Sequence, residues 1–357
     1  MAKYLGREMT RQDVLRSTGH ISQLARARAV ELTTGRSGGC KAIEVVTGGG
    51  LEFTVLQDRC LDVMDLRYKG VNLSFMAKPG ATAPQYFNPN GEFPYYFQGG
   101  LLYTCGLRNV GAGGVDGDET HSLHGRIEAV PADNCGVSAR WEGDEYLMTV
   151  SGQMREAGLF RENLLLTRRI ETRLGANSFR IIDRVDNETC RSEELMLLYH
   201  INFGFPFLGP GLKLLLPKGT MTRPRDDEAA RGAGEHRAFA GPIDGYREQC
   251  FYHGMAALPN GDTCALLRNS DLDLAVWIGY NVNRLPVTTQ WKCLASGDYA
   301  LGFEPANCHV EGRAKERRDG TLQALPAFGS AEFELEIGVL EGTEVDSFLQ
   351  QCKLRLE

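Results

Sequence analysis

In the stretch Leu197–Leu198–Tyr199–His200–Ile201–Asn202–Phe203–Gly204, the period-2 geometry of an extended chain puts Tyr199, Ile201 and Phe203 on one face and His200 and Asn202 on the other. The apolar row has to face a core. His200 and Asn202 then project together from the opposite face, toward solvent, a partner strand or a ligand, and an imidazole so placed can move a proton near neutral pH. Leu301–Gly302–Phe303–Glu304–Pro305 repeats the pattern, with Leu301 and Phe303 pointing one way, the Glu304 carboxylate the other, and Pro305 expected to end the ladder. A carboxylate at the end of an apolar strand is either a rim residue of a sheet edge or an acid/base group at a cavity mouth. In Val287–Thr288–Thr289–Gln290–Trp291–Lys292, the residues Thr288, Gln290 and Lys292 share a face. An amide serves hydroxyls as donor and acceptor, and an aromatic face covers C–H surfaces, so Gln290 beside Trp291 has sugar-site chemistry. A solvent-facing stripe has the same spacing.

Thr120–His121–Ser122–Leu123–His124–Gly125–Arg126 follows the glycine-rich loop Gly111–Gly117. Glu119, His121 and His124 carry metal-ligand chemistry. Their three-residue histidine spacing serves one face of a helix but opposite faces of a strand, and a glycine-rich approach is poor helix material. Ligand count and spacing are both incomplete, so no metal is expected. The ten cysteines, at 40, 60, 105, 135, 190, 250, 264, 293, 308 and 352, stand singly without a CxxC pair. They read as reduced thiols acting as small buried hydrophobes.

The elements that must position these groups are strands. After a short helix candidate capped by Thr10 and containing Val14 and Leu15, alternation separated by turns takes over. Strands are expected at Ala42–Val46, Leu51–Leu56, Ser138–Trp141, Leu147–Ser151, Asn163–Thr172, Ser178–Val185 and Glu194–Phe203. They continue at Leu212–Leu216, Thr263–Arg268, Leu272–Tyr280, Pro286–Leu294, Tyr299–Phe303 and Ala331–Gly338. Many short strands without intervening helices predict an all-β fold, a large antiparallel β-sandwich with few short helices, rather than βαβ units. Two stretches interrupt the pattern, Pro79–Gly100 and Thr222–Gly245. Connections of that length are either solvated excursions or walls and lids of a site. No repeat or low-complexity linker divides the chain. One domain over residues 1–357 is expected, with 1–30 an extension carrying the short helix and about 40–340 the sandwich.

Composition narrows the partners. With 357 residues, 42% of them hydrophobic and 24% charged, the chain can bury a large core. A formal charge of −7 opposes the basic footprint that nucleic acid or an anionic membrane surface demands. Met1 to Gly19 has charges throughout and no apolar signal core, and no later run approaches a membrane span, so the protein is expected in the cytoplasm. Neither a GxGxxG after a strand nor a GxxxxGK[ST] occurs, which leaves no dinucleotide or P-loop site.

Together, and in this order, the motifs resemble those of the galactose mutarotase-like (aldose 1-epimerase) superfamily. Ser122–Leu123–His124–Gly125 is similar to its S-L-H-G segment, and Tyr199–His200–Ile201–Asn202, after the turn Asp186–Asn187–Glu188, to its second histidine strand. Gly245–Tyr246–Arg247–Glu248 resembles its G-[YF]-D-H strand with Glu248 in place of the aspartate. Gln290 resembles the sugar-binding glutamine, and Gly302–Phe303–Glu304–Pro305 the catalytic glutamate strand. Asp58–Arg59–Cys60–Leu61–Asp62, Thr104–Cys105–Gly106–Leu107 and Glu304–Pro305–Ala306–Asn307 bring the chain nearest an uncharacterised aldose-epimerase-like branch of the DUF4432 type.

The resemblance implies interconversion of α and β anomers of an aldose without a cofactor. Glu304 would be the base, His200 the acid and His124 a hydrogen-bonding partner at the ring oxygen. Arg108, Arg59, Asn202, Glu248, Gln290 and His121 would contact the sugar. Arg108 fits the family order better than Arg59. A carbohydrate-binding or sensor protein on the same fold, and an isomerase or lyase acting on an acidic or keto sugar, are the competing readings. The implied partner is a small sugar, with no nucleic acid and no membrane; a homo-oligomer is left open.

Overall fold

Strands with one wet face alternate. In Ser178–Asn187, Phe179, Ile181 and Val185 are buried while Arg180 and Arg184 are exposed, the pattern of an antiparallel sheet packed on one side only. Glu193–Gly204 differs: apart from Glu194, every residue is buried. A strand covered on both faces must be where something else packs. The structure, a computed structural model, describes residues 2–4, 7–88 and 92–357. Residues 1, 5 and 6 of the N-terminal stretch and 89–91 of the Pro79–Gly100 connection lie outside it.

Among the described residues, the first large sheet contains β1 (Leu102–Leu107), β2 (Glu193–Gly204), β3 (Met221–Pro224), β4 (Gln249–Gly254), β5 (Val287–Ala295) and β6 (Asp298–Ala306), ordered β1-β2-β6-β5-β4-β3. Gln323–Leu325 pairs with the start of β2. The second sheet has eight strands running from Asp133–Glu142 to Leu212–Leu215, with Ser178–Asn187, Ser330–Glu341 and Leu274–Asn281 at its centre. A five-stranded sheet, Arg26–Glu31 through Val71–Asn72, flanks the pair. Every strand pairing within these sheets is antiparallel. The result is a large β-sandwich with few short helices.

One apolar core joins residues from Val14 to Val339 and takes Tyr199, Ile201 and Phe203 of β2 together with Leu301 and Phe303 of β6. Within it sits a charged hub. Arg168 donates Nε and Nη2 to the two oxygens of Asp183 at 2.9 and 2.7 Å and Nη1 to Asp62 at 2.9 Å. Tyr199 donates its hydroxyl to Asp183 at 2.8 Å, and Thr104 donates Oγ1 to Asp62 at 2.5 Å. β1 and β2 are thereby tied to the opposite sheet by groups that are all buried. A bidentate, fully bonded arrangement is what lets such charges stay buried.

All thirteen expected strand segments coincide with strands. Arg26–Glu31, Asp62–Tyr68, β1 and β4 were not expected; β1 is buried on both faces and shows no alternation. Thr10 does cap a helix, Arg11–Ser17, with Asp13 N–H donating to Thr10 Oγ1 and Thr10 N–H to Asp13 Oδ2. Pro305 does not end its ladder: it pairs with Thr288, and β6 runs on to Ala306. Gly245–Glu248 is not a strand but the turn and extended residues leading into β4. No helix among the described residues is long and apolar enough to cross a membrane.

Candidate active site

The register of β2 against β6, with Leu198 opposite Ala306 and Ile201 opposite Phe303, brings His200 opposite Glu304. Opposed side chains of an antiparallel pair start about 4.5–5.5 Å apart at Cβ. Here the tips converge, with His200 Nε2 3.3 Å from Glu304 Oε1. Thr289 of β5 stands opposite Glu304 from the other side, and Trp291 opposite Gly302. A Cβ on Gly302 would lie 2.4 Å from Glu304 Oε1 and 3.2 Å from His200 Cε1, so the missing side chain is what leaves room for both groups.

His124 arrives from outside the sheet, on the segment after the glycine-rich loop, in a left-handed conformation (φ 61°). Its ring centroid is 5.7 Å from that of His200, inclined at 71°. Gly111 N–H donates to Nδ1 of His124 at 3.3 Å, which assigns the neutral tautomer with its hydrogen on Nε2. Phe93 packs against His124, and Phe97 and Trp291 against His200, at 5.3–5.7 Å between centroids.

These groups close one end of a cavity of about 620 Å³. Phe75, Lys78, Phe93, Phe97, Arg225 and Glu248 line it as well. Trp291 is held in plane by its Nε1–H, which donates to Glu248 Oε2 at 2.7 Å; Arg225 Nη2 lies 3.5 Å from the other oxygen. Glu304 Oε1, His200 Nδ1 and Thr289 Oγ1 are buried without a hydrogen-bond partner among the described residues. Buried polar atoms are normally paired, and a ligand with hydroxyl groups would satisfy these.

Burial governs the protonation states. It raises the Glu304 carboxyl well above its ordinary range, with neighbouring Glu248 adding to the effect and Arg225 opposing it. The same burial lowers His200 to about 3, helped by nearby His124, and lowers His124 to about 4. Two neutral imidazoles therefore face a carboxyl that holds its proton more tightly than usual. Cys250 also lines the cavity, but burial pushes its thiol up, away from nucleophilic use.

Of the residues expected to contact substrate, Glu248 lines the cavity together with Glu304, His200 and His124. The others point elsewhere. Arg59 is fully buried, its guanidinium donating to Glu128 O, Thr82 O, Thr82 Oγ1 and Gln98 Oε1. Arg108 is engaged with Glu193 and Glu119 at 2.9 and 3.0 Å. Gln290 projects from the face of β5 opposite to Thr289 and Trp291; it donates to His236 O at 2.6 Å and contacts His253 Nε2 at 3.1 Å. Asn202 is turned to the backbone oxygens of Gly100 and His200. His121 lies beside Glu119 at 3.4 Å and lines a separate recess, not the cavity of His124.

Sequence reasoning missed Thr289, Arg225, Lys78 and the phenylalanines. Thr289 carried a signal, since it alternates with Gln290 and shares a face with Trp291. Arg225 and Phe93 fall in the two long connections, Thr222–Gly245 and Pro79–Gly100, whose length marked them as walls or excursions.

The paired sheets and the cleft on one of them define a galactose mutarotase-like β-sandwich. Residues 37–339 match the family described as "Domain of unknown function (DUF4432)", and the chain belongs to that family. Among solved structures, a "putative aldose 1-epimerase" from Klebsiella pneumoniae is similar at 22% identity, with 93% of this chain and 89% of that one covered and a TM-score of 0.86. A galactose mutarotase-like protein from Clostridium acetobutylicum matches at 15% identity over 89% of this chain and 99% of that one (TM-score 0.59). Galactose 1-epimerase from Lactobacillus acidophilus matches at 14% over the same shares (TM-score 0.57). No curated protein matches. At these identities the likeness is one of fold.

Proposed function

We propose that the protein is an aldose 1-epimerase, a cytoplasmic mutarotase that interconverts the α and β anomers of a reducing sugar. The observation carrying this reading is the carboxyl–imidazole pair, Glu304 Oε1 and His200 Nε2 at 3.3 Å, at the closed end of a cleft wide enough for a sugar. Ring opening removes a proton from the anomeric hydroxyl and delivers one to the ring oxygen as the C1–O5 bond breaks. The aldehyde rotates, and closure on its other face returns both protons. Each group thus acts as acid in one direction and base in the other. A single proton is enough: burial keeps it on Glu304 before the sugar binds, and it passes across the 3.3 Å to Nε2 of His200 as the sugar docks, which leaves Glu304 as the base and His200 as the acid.

Glu304 takes the anomeric proton, and its raised proton affinity makes it a stronger base than an ordinary carboxylate. His200 supplies the proton to the ring oxygen, and the Nε2–H of His124 donates a hydrogen bond there as negative charge develops. Positioned acid/base groups contribute about 10²–10⁴ each, sufficient for a reaction that already proceeds slowly in water. Trp291 offers its face to the C–H side of the ring, while Glu248, Arg225 and Thr289 meet hydroxyls. The free cysteines suit a reducing compartment.

The test is anomer exchange by NMR on pure anomers of pentoses, deoxy sugars, hexoses and uronates in D2O. Acceleration of α-to-β exchange in at least one sugar, without deuterium appearing on carbon, is the expected result. Deuterium at C2 would assign the site to an isomerase instead. Binding of sugars without any acceleration would assign it to a sensor.

A further inference from the structure

Near one edge of the eight-stranded sheet, the strand Asp262–Asn269 sends Ala265 and Leu267 into the main core, which turns Cys264, Leu266 and Arg268 to the outer face. The helix Thr343–Gln351 covers that row. Its Val345 packs with Leu266 and Ala275 in a small separate cluster, its Phe348 stacks on Trp277 at 5.8 Å between centroids, and its Asp346 lies 3.4 Å from Arg268. Cys352 ends the helix, with its N–H donating to Phe348 O at 2.8 Å. The Cys352 thiol rests on that of Cys264, sulfur to sulfur at 3.6 Å.

Beyond Cys352 the chain is fastened again. Leu216 and Glu357 exchange both backbone hydrogen bonds, at 3.1 and 2.9 Å, and Arg237 Nη1 donates to Glu357 O at 2.8 Å. The sulfur contact therefore stands at the joint between helix and tail. Closing it to the about 2.05 Å of a disulfide asks for a movement of about 1.5 Å. Both thiols are half-buried, which leaves a small reagent a way in, whereas six of the other eight cysteines are buried. The two are also unequal. Burial pushes the Cys264 thiol up to about 12, and Cys352 beside it adds to the effect, so Cys264 holds its proton and the first attack falls to Cys352.

We propose that Cys264 and Cys352 are a reversible oxidation site, at which a low-molecular-weight disulfide such as oxidised glutathione joins them into a bond that clamps the C-terminal helix and tail to the sandwich. Cys352 Sγ, as thiolate, attacks one sulfur of the reagent and expels the other as a thiolate, which leaves a mixed disulfide on Cys352. Cys264 gives up its proton to a departing thiolate and attacks Cys352 Sγ, and the second reagent thiolate leaves. The pair loses two electrons and two protons, and the reagent gains both as two thiols. The new bond ties positions 88 apart in the chain, so it removes freedom chiefly from the unfolded state. The clamp is independent of what the cleft does.

The test equilibrates the native protein with oxidised glutathione, alkylates the remaining thiols and maps the peptides by mass spectrometry. Cys190→Ser is the background throughout, because Cys190 is exposed and takes up glutathione by itself. The expected product is lighter than its reduced form by about 2 Da, has two fewer thiols to alkylate, joins Cys264 to Cys352 and reverts with dithiothreitol. Its Tm should exceed that of the reduced form by about 3–5 °C, and Cys352→Ser should abolish that rise. Cys264→Ser takes its place if Cys352→Ser does not fold. Two thiols that stay free in the folded protein, or a glutathione adduct on Cys352 that never passes to Cys264, overturns the oxidation site. A bond that forms without raising Tm overturns the clamp.

Discussion

Glu304 and His200 occupy opposed positions on adjacent strands, and their Oε1 and Nε2 atoms lie 3.3 Å apart while Oε1 of Glu304 and Nδ1 of His200 have no partner among the described residues. Glu304→Gln keeps the shape and removes the base. Anomer exchange should fall by about 10²–10⁴ while sugar affinity changes little, because the lost interaction belongs to the transition state. In the wild type, kcat/KM should fall with rising pH along a limb centred above the ordinary carboxyl value of 4.5, since that limb removes the one proton the Glu304–His200 pair shares; the variant should lack that limb. Wild-type exchange in Glu304→Gln, followed by NMR, would remove Glu304 from the mechanism.

Gly302 has the same importance by being small. Gly302→Ala places a methyl 2.4 Å from Glu304 Oε1, so the carboxyl must turn away from His200. Overpacking of this kind destabilises by about 1–3 kcal/mol, while misplacing a reacting group by about 1 Å costs about 10²-fold in rate. Urea denaturation together with kcat should show the larger effect in kcat; an unchanged kcat would mean that the carboxyl has another productive position.

His253, bonded to Thr222 and Gln290, is lowered to about 3, chiefly by burial. The unfolded chain takes up this proton near pH 6.5 and the folded one does not, so the contribution of neutral His253 is complete above about 6.5 and is lost as pH falls toward 3. Asp62 at about 6 and Glu156 at about 7 shift in the opposite sense, which makes the difference between wild type and His253→Asn the informative quantity. Denaturant unfolding at several pH values should show wild type losing about 1.4 kcal/mol per pH unit relative to the variant below pH 6. Parallel curves would place the imidazole in contact with water.

Arg168→Met leaves Asp62 and Asp183 buried without their cation. A loss of about 3–5 kcal/mol in denaturant unfolding is expected. Replacing the three charges together by apolar residues should recover most of it, as the desolvation of the ions disappears with them. A single variant as stable as wild type would show that the carboxyls simply take up protons.

Arg108 separates a structural role from a substrate role. Its guanidinium lies against Glu119 and Glu193, outside the cleft. Arg108→Met should lower stability by about 2–4 kcal/mol with KM unchanged in the folded fraction. A KM raised tenfold or more, with stability intact, would bring Arg108 back into sugar binding.

How much of this was legible in the sequence follows from how each residue is positioned. Period-2 alternation located β2 and β6 and told correctly which face of each carries His200 and Glu304, because one row of each strand is apolar and must enter the core. The same alternation misled at β5. Gln290 has sugar-like chemistry, but it is buried on the face of β5 away from the cleft, where His236 O and His253 satisfy its amide, and its neighbours Thr289 and Trp291 hold the cleft face. Residue type cannot tell a buried structural amide from a ligand-binding one. Arg59 and Arg108 failed for a related reason: their partners Glu128, Thr82, Glu119 and Glu193 are remote in the chain or reached only through the fold. β1 escaped notice since covering both faces erases the alternation.

The proposed acid/base groups His200 and Glu304 stand on strands locked by ladder pairing on both sides, whereas Lys78, Phe93, Phe97, Arg225 and Glu248 come from the connections between strands. Chemistry and selectivity are thus written in separable parts of the chain. A combinatorial library confined to the irregular parts of the two long connections, before Gly99 in the first and after Pro224 in the second, would explore new substrates without altering a strand residue. One aimed at β2, β5 or β6 would mostly yield catalysts that have lost their alignment.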